Sequence, residues 1–216
     1  MKIKTLFFLL LIIISCSKKE NIQKSAAIIS QQTQLTSEKE EISSLNDSVY
    51  YDLRKAEVMN ENEILFNGKL NRFFDIKEFE NVFGKPDSLI LMSKEEPCSY
   101  IFENEDGSKD LDDKYIYKDC SRFENSKNKV AVDEFRFINN NFIIYKGIIM
   151  NANTTIEDLK KCFPYAIDNI GTLDVYGEGE LEVIMLREET ENYSDGHVKI
   201  FFKKGKLYFM HWWFPS

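Results

Sequence analysis

Apolar residues change rhythm several times along the chain. Leu6 to Ile14 is an unbroken apolar block behind Lys2 and Lys4. At about 1.5 Å per residue it is too short to cross about 30 Å of hydrocarbon, and polar residues follow at once, so residues 1–15 are expected to be a secretion leader. From Ser17 to about Asn46 the chain is mostly Ser, Gln, Lys and Glu. So few large side chains cannot offset the entropy of ordering, and residues 16–46 are expected to be a tether. Ser37 with Glu40 fits a helix start ahead of Ile42, Leu45, Val49 and Leu53, which makes residues 47–61 a candidate N-terminal helix or strand.

Beyond residue 62 the pattern repeats. Ile76, Phe79 and Phe83 recur 80 residues later as Ile156, Leu159 and Phe163. The i, i+3, i+7 spacing puts each triplet on one face of a short helix. Asp75 and Thr154 or Thr155 suit the helix starts, while Gly84 and Pro164 are expected to end them. Strand-like runs follow each helix, and each repeat is expected to close with a hairpin. The first would join Glu134–Ile138 to Phe142–Tyr145 across Asn139–Asn141, and the second Val198–Phe202 to Leu207–Trp212 across Lys203–Lys206. The expected fold class is α+β, in two tandem helix-plus-antiparallel-sheet repeats at residues 62–146 and 147–216.

Strict alternation in the last strand would put Leu207, Phe209, His211 and Trp213 on one face and Tyr208, Met210, Trp212 and Phe214 on the other. Both faces are apolar, and only one would lie under the helices. Tyr208, Met210, Trp212, Trp213 and Phe214 are therefore candidate partner-binding residues. The competing reading is that the segment around Val49, Tyr50, Tyr51 and Leu53 folds back over them.

Ile13-Ile14-Ser15-Cys16 resembles the lipobox of bacterial lipoproteins. That resemblance implies cleavage before Cys16, diacylation of its thiol and acylation of its new amino group, and so a chain held to a membrane by lipid. Ser17, where an inner-membrane retention signal would have aspartate, implies the outer membrane. Cys16-Ser17-Lys18-Lys19-Glu20 is similar to signals for surface display. The helix end Phe83-Gly84-Lys85-Pro86-Asp87 and its counterpart Phe163-Pro164 make the tandem pattern resemble the β-lactamase-inhibitor-protein fold and the small lipoproteins of the barrel-assembly machinery. Members of that family mostly bind proteins. The cystatin-like fold, one helix on an antiparallel sheet, is the alternative.

Loss of the leader with Lys2 and Lys4 takes the formal charge from −8 to −10. With Lys and Arg interleaved among Asp and Glu, nucleic acid is not an expected partner. Of 4 cysteines, Cys16 is assigned to lipid; Cys98 and Cys120 flank an acidic loop and could bridge neighbouring strands. Cys162, late in the second helix, reads as an inert core thiol, raised by the helix dipole. Glu103–Asp113 has the carboxylates of a calcium loop but misses its register: with Gly107 at the glycine position, Phe102 would be the first ligand and Asp113 the last. No metal or small-molecule cofactor is expected. Only His197 and His211 suit general-base chemistry, and neither lies in a motif. The expected role is a non-enzymatic protein-binding envelope lipoprotein; the alternative is a small hydrolase or thiol enzyme using His197 or His211.

Overall fold

The computed structural model describes residues 52–95, 97, 99–188 and 196–214. The leader, Cys16, the tether and most of the suggested helix before Leu53 lie outside these residues. Leu53 itself opens a three-residue 3₁₀ turn in which the Arg54 amide donates to the Asp52 carboxylate. In order, the elements are β1 (Ile64–Phe66), β2 (Phe73–Asp75), α1 (Ile76–Phe83), β3 (Ser88–Leu91), α2 (Met92–Glu95), β4 (Lys114–Lys118), β5 (Ser121–Ser126), β6 (Lys129–Arg136), β7 (Phe142–Tyr145), β8 (Ile148–Asn151), α3 (Ile156–Leu159), α4 (Pro164–Asp168), β9 (Gly171–Val175), β10 (Gly179–Arg187), β11 (His197–Lys203) and β12 (Lys206–Trp213). The fold is mixed α+β, with mostly antiparallel sheets and few helices.

The main sheet runs β3-β4-β5-β6-β12-β11-β10-β9, with β2 added beside the first half of β6. Each long-range helix is thus followed by a four-strand meander, and the last strands of the two meanders, β6 and β12, pair antiparallel at the centre. The helix starts correspond in detail. Asp75 and Thr155 both form capping boxes, with Glu78 and Asp158. The first helical amides dock on equivalent turns: Ile76 N donates to Asn128 O at 3.0 Å and Ile156 N to Gly205 O at 3.3 Å. A second sheet, β1-β7-β8, packs with the helices against one face of the main sheet. Phe79, Phe83, Leu159 and Phe163 meet Phe66, Tyr145, Phe123, Phe135, Met210 and Trp212 in one core.

Two expectations fail. Pro164 does not end the second helix; it starts α4. A residue before proline is pushed out of the helical region, and Phe163 sits at φ −133°, ψ 59°, so the stripe breaks into α3 and α4 although Leu159 and Phe163 stay buried. Having no local cap, α4 borrows one: Glu57 accepts from Tyr165 N at 2.7 Å and Ala166 N at 3.1 Å. Replacing Glu57 with Ala is expected to lower stability by about 1–2 kcal/mol in urea denaturation, with Gln recovering part of it.

The second failure is the hairpin over 134–145. The chain does turn at Asn139 and Asn140, both at positive φ, but β12 occupies the edge of β6 that β7 would have taken, and β7 pairs with β1 and β8. The hairpin tip is instead Lys146-Gly147, at φ 48° and 79°. The β11–β12 hairpin forms as expected, around Lys204-Gly205.

Candidate functional site

The site lies on the main-sheet face turned away from α1, α3 and α4. Register places Tyr117, Arg122, Glu134, His211, Lys199 and Met185 in one row across six strands. Beside it run Arg136, Phe209, Phe201 and Val183. Phe201 and Phe209 stack at 4.2 Å and, with Leu181 and Val183, make a small apolar cluster.

Two bulges tune this face. Opposite Phe201 and Phe202, β12 carries Tyr208 as an extra residue, so Phe201 pairs with Phe209 but Phe202 pairs with Leu207. The alternation expected for β12 therefore slips by one: Leu207 joins Met210 and Trp212 in the core, and Tyr208 joins Phe209, His211 and Trp213. In β6 the same device opposite Arg122 and Phe123 leaves Asp133 and Glu134 both beside Arg122.

Each end of the face is held by a carboxylate. At one end Glu178, on the β9–β10 turn, accepts from Arg136 Nη1 at 2.7 Å, Lys203 Nζ at 2.8 Å and the Tyr208 hydroxyl at 2.9 Å. The Lys203 hydrogen bond, aided by Tyr208 and Arg136, outweighs partial burial and holds its carboxyl at about 2. At the other end buried Glu124 accepts from Ile101 N at 2.9 Å and Phe102 N at 2.8 Å, pinning the loop after α2. Burial pushes the Glu124 carboxyl up, and the two amides offset part of that.

At the Glu124 end is a cleft of about 300 Å³ lined by Tyr115, Arg122, Glu124, Asp133, His211 and Trp213 among others. Asp133 is its hub: it accepts from Arg122 Nε, and His211 Nε2 lies 3.5 Å away. Burial pushes the Asp133 carboxyl up, but the His211 hydrogen bond and the Arg122 charge outweigh it, leaving the group below the usual carboxylate range. Trp213 is half-buried, with the His197 ring at 4.6 Å and Lys199 Nζ 4.6 Å from its centroid.

No protein-family model, no characterised protein and no solved structure matches the chain.

The five aromatic and sulfur-bearing candidates separate. Met210 and Trp212 are core residues, 0% and 2% exposed, so neither can meet a partner. Trp212 lies on Phe66, and the Arg72 guanidinium sits 4.5 Å from its ring. Tyr208 is half-buried and its hydroxyl is committed to Glu178. Trp213 and Phe214 remain, both half-buried and both lining the cleft. His197 is buried, whereas His211 reaches the cleft.

Cys16 and Cys98 lie outside the described residues. Cys120 is an exposed free thiol in the β4–β5 turn, at φ 56°, and not in a strand. Cys162 has its thiol pushed up by burial; α3 ends before it, so a helix dipole is not the cause. In the acidic loop, Asp106 and Asp110 spend their carboxylates on the amides of Ser108 and Asp112. Among the described residues no group of three or more His, Cys, Asp and Glu could hold a metal ion.

Arg122, Glu124 and Asp133 are residues that motif reasoning misses, because they come from two strands at no fixed spacing. One signal was available: Asp133 follows Val130-Ala131-Val132, and a carboxylate inside an apolar strand needs a partner.

Proposed function

We propose that the chain is a lipid-anchored envelope lipoprotein that binds another protein, without enzymatic activity, through the cleft lined by Trp213 and Phe214. The observation that carries this is the placement of those two aromatics, half-buried beside an open cleft: Trp213 on the cleft face and Phe214 at its rim, where it also packs against the core. Large aromatics in such settings are favoured anchors in protein interfaces. The leader and lipobox pattern at Cys16 supports the anchor. Two helix-then-four-strand meanders joined through β6 and β12 support a duplicated fold of the β-lactamase-inhibitor-protein kind, whose members mostly bind proteins.

The test is affinity purification from detergent-solubilised envelopes using the parent and a Trp213→Ala/Phe214→Ala variant, followed by binding of the purified captured protein to each. A partner bound by the parent and lost by the folded variant supports the reading. Equal binding by both would place the site elsewhere. Fatty-acid labelling abolished by Cys16→Ser checks the anchor.

A further inference from the structure

The cleft has an unbalanced charge. Its lining carries Glu95, Glu124 and Asp133 against the guanidinium of Arg122 and the imidazole of His211, and both of those are already taken by Asp133. Behind the lining lies a further carboxylate, Asp113. It is 1% exposed, and neither of its side-chain oxygens has a hydrogen-bond partner among the described residues. Its charge acts directly on Glu124. A buried carboxylate without a partner is costly, and a cation placed nearby recovers part of that cost.

The rest of the lining suits a cation as well. Tyr115, Trp213 and Phe214 line its wall, and the chain's own cations already lie by these rings, Arg122 at 5.0 Å, Lys199 at 4.6 Å and Arg72 at 5.6 Å, as expected of ring faces that attract guanidinium and ammonium groups. The volume, about 300 Å³, is at the lower limit for a ligand pocket and takes one long side chain and not a large cofactor.

Resting on the reading that this face engages a protein, we infer that the cleft between Glu95, Glu124, Asp133 and Trp213 receives a basic side chain, an arginine or lysine, from the partner. The partner's guanidinium or ammonium group meets the carboxylates while its stem lies along the aromatic wall. Arg122 stays bound to Asp133 and sets the orientation of that carboxylate.

The experiment is a tryptophan-fluorescence titration of the full lipidated chain in non-ionic detergent, with Nα-acetyl-L-argininamide as probe and Nα-acetyl-L-citrullinamide as the neutral control. Argininamide is expected to saturate with a dissociation constant of about 1 mM, suitable for a single side chain, and to weaken with added NaCl. Citrullinamide is expected to give no saturable change. Glu95 is exposed, so Glu95→Lys tests charge without removing a core contact. It is expected to weaken both argininamide and the captured partner about tenfold or more. A missing response to argininamide, or an equal response to citrullinamide, overturns the inference. So does a partner whose binding is indifferent to Glu95→Lys; if that partner is still lost with Trp213→Ala/Phe214→Ala, protein binding stands and only the cation assignment falls.

Discussion

Trp212→Ala is expected to lower stability by about 3–5 kcal/mol, whereas Trp213→Ala one residue away should cost less than about 1 kcal/mol. The two indoles point to opposite faces of β12. Trp212, 2% exposed, packs on Phe66 at 5.9 Å, and its ring is one surface of the enclosure around buried Arg72. Truncating it leaves a large cavity and strips a guanidinium of its aromatic neighbour. Trp213 is half-buried at the cleft, against His197 and Lys199, where collapse of neighbours and entry of water limit the loss. Urea denaturation followed by circular dichroism reads both values. Similar costs for the two variants would mean that β12 is not registered as described. The contrast also decides how the binding face should be probed, since a Trp212 variant tests folding before it tests binding.

The second large effect is expected at Asp133. Asn in its place should cost about 2 kcal/mol at pH 7: breaking a buried pair costs more, but Arg122 is about one-third exposed and solvent screens part of the loss. The pH dependence has a definite sign. The folded carboxyl lies below its ordinary value of 3.8, so its contribution is fully present above that ordinary value and fades as pH falls through the lower folded value. The gap between parent and Asp133→Asn should therefore be widest near neutrality and shrink below about pH 4. Denaturation curves for both proteins at stepwise lower pH measure it. A gap that widens on acidification would mean that the ionised carboxylate does not stabilise the fold.

Local rules carried some of the architecture. A side chain that caps its own helix acts within four residues, so Asp75 and Thr154 or Thr155 were readable as helix starts; the structure selects Thr155 and completes the capping boxes with Glu78 and Asp158. Lys204-Gly205 likewise announces the β11–β12 hairpin, because glycine tolerates the positive φ of a two-residue turn. The stripe Ile156, Leu159, Phe163 correctly marked the core-facing side, with Leu159 and Phe163 buried and Ile156 half-buried against the core, although the proline after it divided the helix.

What sequence alone determined is therefore the α+β class, the two helix starts, the aromatic content of β12 and the expectation of a lipid anchor at Cys16. Strand partnership was decided by the tertiary structure. An apolar strand such as β7 fits any free edge, and only assembly of the whole sheet gave the edge of β6 to β12 and sent β7 to β1 and β8. The faces of β12 were decided there too, because one extra residue, Tyr208, reverses the alternation on one side of itself. The cleft is the clearest case: Arg122, Glu124, Asp133 and His211 come from three strands, and their charges acquire meaning only at the distances that packing imposes.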